Sequence, residues 1–346
     1  MKEFSKIDKN FTIEKTIEKS GIRFYDALSS PFEINGVFYE DGKFRRLPKD
    51  VAKSVSEGVY ALHANTAGGR IRFRTNSTCV AINTKMSSIG KMSHFALCGS
   101  AGFDLYVANE YKASFVPPFD ISNGYEGTVK FDTAELREIT INFPLYSDVN
   151  ELYIGIDSES LVLEPLPYKI KKPIVYYGSS ITQGGCASRP GNTYQGIISR
   201  ELNADYVNLG FSGNAKAEKE ISNYIKNLPM SAFIYDYDHN APTNEHLAST
   251  HQRMFLEIRE ANPTLPIIIM SRPKYYLNDD DISRYEIIKS TYENAISRGD
   301  KNVYLIDGPS LMRLAEGNGT VDGCHPTDLG FFSMAKEIIR VMNKIL

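Results

Sequence analysis

The stretch Lys172-Pro173-Ile174-Val175-Tyr176-Tyr177-Gly178-Ser179-Ser180-Ile181-Thr182-Gln183-Gly184 constrains the rest of the chain more than any other. A short apolar run rich in Ile, Val and Tyr reads as a buried strand. It stops at Gly178, two serines follow, and the chain leaves through a turn containing Gly and Pro. A serine just past a central strand stands at the carboxyl edge of an α/β sheet, where such sheets place their chemistry. Ser180 is therefore the candidate nucleophile. A serine hydroxyl attacks poorly unless a base takes its proton, so the chain must also supply a histidine and a site for an oxyanion.

From Lys172 onward strands and helices alternate. The expected strands are Ile174–Tyr177, Tyr206–Leu209, Ala232–Tyr237, Ile267–Met270 and Val303–Ile306. The expected helices run from Tyr194 to Leu202, Ala217 to Leu228, Asn244 to Ala261 and Ile282 to Ser297. A last one runs from about Asp328 to Leu346, with Met334, Ile338, Ile339 and Met342 on one face. Such alternation gives a parallel sheet with helices on both faces, an α/β domain.

The chain before that point reads differently. Short strands follow one another at Gly69–Arg74, Thr78–Asn83, Phe103–Val107, Tyr111–Val116, Gly127–Phe131, Glu138–Phe143 and Glu151–Ile156, after a turn at Glu40-Asp41-Gly42-Lys43 and a short helix from Leu47 to Val55. Many short strands separated by Gly, Pro and Asn turns predict an all-β sandwich. Ile71 and Phe73 alternate with Arg70, Arg72 and Arg74, the pattern of a strand with one wet face. Glu164-Pro165-Leu166-Pro167-Tyr168 reads as a linker, which divides the chain into residues 1–165 and 166–346.

The 346 residues carry 42% hydrophobic and 23% charged side chains and a net charge of -3, so no basic field argues for nucleic acid or an anionic membrane as partner. The opening Met1–Lys9 stretch lacks a signal-peptide core, and no run approaches the roughly 20 apolar residues of a membrane span. The expected location is the cytoplasm. Cys79, Cys98, Cys186 and Cys324 are scattered, with neither zinc-type pairing nor a disulfide framework, and read as free thiols.

The base is found near the far end. In Thr320-Val321-Asp322-Gly323-Cys324-His325-Pro326, Asp322 and His325 are three apart on one loop. A carboxylate so placed can hydrogen-bond the imidazole, fix its tautomer and stabilise the imidazolium. For the oxyanion, Asn208-Leu209-Gly210-Phe211-Ser212-Gly213-Asn214 follows the second strand, with Gly213 the first choice of donor and Gly210 the second. Tyr235-Asp236-Tyr237-Asp238-His239-Asn240 closes the third strand, and an Asn240 amide there can serve the same oxygen. His239 and Asp238 are candidate substrate contacts. A metal site among Asp236, Asp238 and His239 is the weaker reading, and none is expected. His63, His94, His246 and His251 are assigned to surface or structural roles.

In order, Gly178-Ser179-Ser180, Gly213, Asn240 and Asp322-x-x-His325 resemble the four blocks of the SGNH, or GDSL-type, hydrolases. Gly102-Phe103-Asp104-Leu105-Tyr106 resembles the signature of the GxDLY N-terminal β-sandwich that precedes some of them. Asp104 and Tyr106 read first as a strand start and a core tyrosine, and second as residues of the domain interface or substrate cleft. The resemblance implies a flavodoxin-like three-layer α/β/α domain behind a jelly-roll-like sandwich. It implies Ser180 as nucleophile, His325 as base, Asp322 as its orienter, and Ser180 N–H, Gly213 N–H and Asn240 as the oxyanion hole. Gly-Ser-Ser replaces the usual Gly-Asp-Ser, which leaves Ser179 beside Ser180 as an alternative. The activity implied is a serine esterase without cofactor, with an acetylated oligosaccharide or other small ester as substrate and the oligomeric state open. Longer acyl esters, thioesters or lysophospholipids are the second expectation. A carbohydrate-binding protein on an inactive hydrolase fold is the third.

Overall fold

Five strands lie parallel in the spatial order Ala204–Gly210, Ile170–Gly178, Ala232–Asp236, Ile267–Met270, Val303–Ile306. In chain order this is 2-1-3-4-5, the flavodoxin arrangement, whose reversal of direction opens a crevice beside the first strand. The computed structural model describes residues 6–8, 12 and 17–345. Apart from Lys6–Asp8, the Met1–Lys9 stretch lies outside the described residues, as does Leu346.

The sheet strands are apolar on both faces because both are covered. Val175, Tyr177, Leu209, Phe233, Tyr235, Ile267 and Ile269 pack against the helices Lys219–Ile225, Asn244–Ala261 and Asp279–Ser297. Ile174, Tyr176, Ile234, Ile268 and Met270 pack against Tyr194–Leu202 and Asp328–Met342. The last helix buries Met334, Ile338, Ile339 and Met342 as expected, and ends at Met342.

The front half is an antiparallel sandwich. One sheet orders Ile22–Asp26, Glu151–Asp157, Cys79–Lys85 and Gly124–Lys130. The other orders Val162–Leu163, Arg70–Thr75, Arg137–Asn142, Phe103–Val107 and Glu110–Phe115, with Glu33–Asn35 also on Arg70–Thr75. Ile71, Phe73, Val80, Ile82, Leu105, Ile139, Ile141 and Ile154 fill the space between them. The turn at Asp41-Gly42 closes a hairpin of Phe38–Glu40 with Lys43–Arg45. Both turn residues have positive φ, 49° and 78°, the primed geometry that twists with the strands.

Three features depart from the sequence reading. First, the arginine face of Arg70–Thr75 is not wet. Arg70 and Arg72 are 2% and 3% exposed, because that face meets the parallel-sheet domain and the linker. Arg70 pairs with Asp205 and lies 3.8 Å over the Tyr206 ring. Arg72 bonds Glu138 at 2.9 Å and the Leu166 carbonyl at 2.6 Å, and stacks on Tyr168. Second, Asp104 and Tyr106 face the other domain, which is the second of their two readings and not the first. The buried Asp104 carboxylate accepts from Gly191 N–H at 2.8 Å and Arg189 at 3.1 Å, while the Tyr106 hydroxyl accepts from Arg189. Third, the helix Lys49–Val55 continues after Ser56 into a second, Glu57–Leu62, capped by the Ser56 hydroxyl. Leu47, Ala52 and Val59 of this segment join the core of the parallel-sheet domain.

Two buried groups fix the carboxyl edge of the sheet. Arg46, 2% exposed, donates to four carbonyl oxygens, those of Asn65 (2.6 Å), Leu62 (2.9 Å), Asn208 (3.2 Å) and Gly210 (2.6 Å). It thereby pins the start of the loop that carries Gly213. Burial lowers its pKa to about 10, which leaves it charged at neutral pH. Beneath the Gly178-Ser179-Ser180 turn lies Asp236, 3% exposed, which accepts the Thr182 hydroxyl at 2.5 Å. A Cβ on Gly178 would stand 2.0 Å from the Asp236 Oδ1, so only glycine lets the turn sit this close. Burial, reinforced by Asp238, raises the Asp236 pKa to about 8 against the pull of the Thr182 hydroxyl.

Arg46→Ala should cost about 3 kcal/mol or more in urea unfolding, since four carbonyls lose a charged donor. A loss below about 1 kcal/mol would mean that water replaces the guanidinium. Asp236 makes a pH-dependent prediction. Its folded pKa of about 8 lies above the unfolded value of 3.8, so between those values folding takes up a proton and stability falls as pH rises. Asp236→Asn removes that slope. The Tm advantage of the variant should widen steadily as pH is raised through the window, and a constant difference would mean that the folded carboxyl is ionised.

Candidate active site

Gly178 pairs in register with Gly210 on one side and Asp236 on the other, so the loops that leave these strands begin side by side. The first folds at once into the short helix Ser180–Gln183. Ser179 caps it: its hydroxyl accepts from Ile181 N–H at 3.2 Å and is fully buried. Ser180 is the next residue, and its Oγ lies 2.9 Å from His325 Nε2. His325 Nδ1 lies 2.7 Å from Asp322 Oδ2. The Asp322 Oδ1 accepts from the backbone N–H of His325 (2.7 Å) and of Cys324 (3.0 Å), so the loop is built around that carboxylate. Burial pushes the Asp322 pKa up, but the bonds from the His325 ring and the two backbone N–H groups override it and hold the pKa at about 2.

Gly213 occupies the third position of a turn closed by Asn214 N–H on the Phe211 carbonyl. Its φ of +69° is one that glycine adopts without strain, and an added Cβ would meet nothing within 4 Å, so this backbone faces open space. Gly210, the second choice, is committed elsewhere. Its N–H donates to Asn208 Oδ1 at 2.9 Å, and a Cβ there would stand 2.2 Å from Gln183 N. The Asn240 Oδ1 accepts from Ala215 N–H at 3.2 Å, which ties its loop to that of Gly213 and does not use the amide N–H2.

Asp238, expected at the substrate, is instead 1% exposed. Its Oδ2 accepts from both the backbone N–H and the Nε of Arg272 at 3.2 Å, so it braces the loop from inside. His239 is half-buried, with Nδ1 3.9 Å from the Cys324 sulfur. Burial, then the Arg272 and Lys274 cations, lowers its pKa to about 3, so it is neutral at physiological pH. Asp236, Asp238 and His239 do not form a metal-ligand cluster. Among the described residues the group close enough for that is His94, Cys186 and His325.

Several residues at the site were not anticipated, and the sandwich half supplies most of them. The Tyr146 hydroxyl donates to the Ser180 carbonyl at 3.2 Å. Asn65 holds Gln183 of the nucleophile helix at 3.1 Å and is itself held by donating to Asp148 at 2.9 Å. His94 brings its Nε2 to 3.9 Å from Asp322 Oδ2, with its ring 5.9 Å from that of His325. All three lie on irregular loops, where no periodicity marks the direction of a side chain. Burial pushes the Cys186 thiol up to about 11 and raises Cys324 as well, so both are protonated near neutral pH.

Residues 171–343 match the family model of the GDSL-like lipase/acylhydrolase family, and residues 22–162 match that of the GxDLY domain, the N-terminus of SGNH-hydrolase-type esterases. A search of curated proteins found no similar chain. Among solved structures, a chain from Bacteroides ovatus described as a GDSL-like lipase is 28% identical, with a TM-score of 0.83 over 94% of this chain and 98% of that one. A salicylyl-acyltransferase from a tetracycline biosynthetic pathway is 20% identical, with a TM-score of 0.75 over 94% and 97%. An acetyl xylan esterase from the rumen bacterium Butyrivibrio proteoclasticus is 14% identical, with a TM-score of 0.58 over 93% and 98%. The last two share the fold, sandwich and parallel-sheet domain together. With both halves matched in order, the chain belongs to the GDSL-like lipase/acylhydrolase family, an SGNH-type hydrolase preceded by a GxDLY domain.

Proposed function

We propose that the chain is a carboxylic ester hydrolase working through Ser180, His325 and Asp322, and that its substrate is an O-acetylated carbohydrate. The observation that carries the reading is the continuous run of hydrogen bonds from the Ser180 hydroxyl through the His325 ring to the Asp322 carboxylate. In this mechanism Ser180 Oγ attacks the ester carbonyl while His325 Nε2 takes its proton. Asp322 stays ionised above pH about 2 and stabilises the imidazolium through Nδ1–H. The Ser180 and Gly213 N–H groups and the Asn240 amide receive the oxyanion. Protonated His325 then donates to the leaving alcohol, and water, deprotonated by the same ring, releases the acid. Ser179 is disfavoured as nucleophile because its buried hydroxyl caps the helix.

The acetyl and carbohydrate part of the proposal takes its support from the shared layout with the acetyl xylan esterase. A division near residue 165 belongs to the same proposal, with the two matched stretches on either side of it. So does a cytoplasmic setting, which suits four free thiols.

Ser180→Ala should lower acetate release from acetylated xylan, mannan or chitin oligosaccharides by about 10⁴-fold or more without changing the circular dichroism. Activity close to wild type would move the chemistry to another residue. Asp322→Asn should lower kcat by up to about 10⁴-fold while leaving KM nearly unchanged, because it alters the imidazole and not substrate binding. Faster turnover of p-nitrophenyl octanoate than of the acetate ester would replace the acetyl specificity with a longer-chain one.

A further inference from the structure

We propose that the mouth of this site also binds a soft divalent cation of the Zn²⁺ type through His94, Cys186 and His325, and that the bound ion switches the hydrolase off. Only the inhibitory half rests on the catalytic reading of His325; the binding half rests on the ligands.

One donor atom from each of the three residues lies within 4.8 Å of the other two. The ligands come from three separate places. His94 precedes the short helix Leu97–Ser100 in the sandwich half, Cys186 follows the Ser180–Gln183 helix, and His325 precedes the last helix. Two imidazoles and one thiolate are a donor set that zinc accepts in three-ligand sites, with water completing the tetrahedron. The sulfur disfavours Mg²⁺ and Ca²⁺, which prefer oxygen. Bonds of about 2.0–2.3 Å to a tetrahedral ion require donors roughly 3.5 Å apart, so a pair at the 4.8 Å limit would need to close by about 1 Å. His94 can make that movement. Its side chain is 44% exposed, and its 3.9 Å approach to Asp322 Oδ2 is too long for a hydrogen bond. Cys186 is a free thiol.

His325 makes the site inhibitory whichever nitrogen it offers. Coordination through Nε2 displaces the Ser180 hydroxyl, and coordination through Nδ1 displaces Asp322. In either case one link of the relay is broken. The chemistry balances simply: the sulfur–metal bond forms as the thiol proton leaves to buffer, and no electron is transferred. The neighbouring Asp322 carboxylate adds a negative charge that favours a cation there.

The test uses the full-length protein stripped with EDTA. Titration with Co²⁺ should produce the near-ultraviolet thiolate-to-cobalt absorption band, and Cys186→Ala should abolish it. Loss of an outer-shell partner alone costs about 10–100-fold in metal affinity, so His94→Ala, which removes a direct ligand, should weaken binding by at least that much. Zn²⁺ should inhibit p-nitrophenyl acetate hydrolysis, EDTA should reverse it, and both variants should resist it. Absence of the cobalt band in the wild type, or equal Zn²⁺ inhibition of wild type and both variants, would overturn the proposal. A cobalt band that depends on Cys186 in a protein that hydrolyses no ester would defeat the esterase reading and leave the metal site standing.

Discussion

A charged strand face pressed against protein instead of water is the constraint on which this molecule rests. Arg70 and Arg72 emerge from a sandwich strand into a seam where each is nearly inaccessible. A guanidinium there is tolerable only if its donors find acceptors and its charge a counter-charge. Asp205 and the Tyr206 carbonyl supply these to Arg70 from the edge strand of the parallel sheet. Asp104 makes the reciprocal bargain, a buried acid in the sandwich satisfied by Arg189 and Gly191 of the catalytic half. The sandwich thus buries a cation and an acid whose counter-charges stand on the other half. Separating them would leave unpaired ions, so the two units are expected to hold one relative position.

That fixed position is what lets the sandwich take part in the site. Arg189 and Gly191, gripped by Asp104, belong to the loop that follows the nucleophile helix and also carries Cys186. Tyr146 and Asn65 reach the helix directly, at the Ser180 carbonyl and the Gln183 amide. Gln183 in turn accepts from Ser212 N–H at 3.1 Å, next to Gly213. Sandwich, nucleophile helix and Gly213 loop are therefore joined by consecutive hydrogen bonds. Geometry at Ser180 depends on residues that the parallel-sheet domain does not contain.

Legibility in the sequence followed local signals. The helix Asn244–Ala261 matches expectation at both ends because Thr243 caps the start and Asn262-Pro263 stops it. The sheet strands were legible as apolar runs too short for helices. Ile22–Asp26 was missed: it is a five-residue edge strand, paired only with Glu151–Asp157 among the described residues. The second short helix was missed although Ser56 before Glu57 is a usable cap signal. Alternation revealed that Arg70 and Arg72 share a face, but the identity of what covers a face is a tertiary fact. The same limit separates Asp238 from His325. Both follow strand or loop signals rich in polar residues, yet one carboxylate turns inward to Arg272 while the imidazole turns outward to Ser180. His94 and Cys186 gave no signal, being far apart in the chain and joined only by folding.

The departure of Gly-Ser-Ser from the family's Gly-Asp-Ser has a local physical reason. The residue at 179 must cap the short helix, and serine and aspartate do this about equally well. The site is fully buried, however, and the Ser179 backbone amide stands against Asp236, a carboxyl already crowded by burial and by Asp238. An ionised carboxylate at 179 would have to bury its charge beside a carboxyl that burial already drives toward its neutral form. Serine keeps the capping oxygen and omits the charge. The buried acid beneath the turn stands on the neighbouring strand at Asp236, where it accepts the Thr182 hydroxyl and Gly178 leaves it room. Ser179, which caps the helix, and Asp236, which accepts from Thr182, thus both hold the turn that presents Ser180, and neither needs a charge to do so.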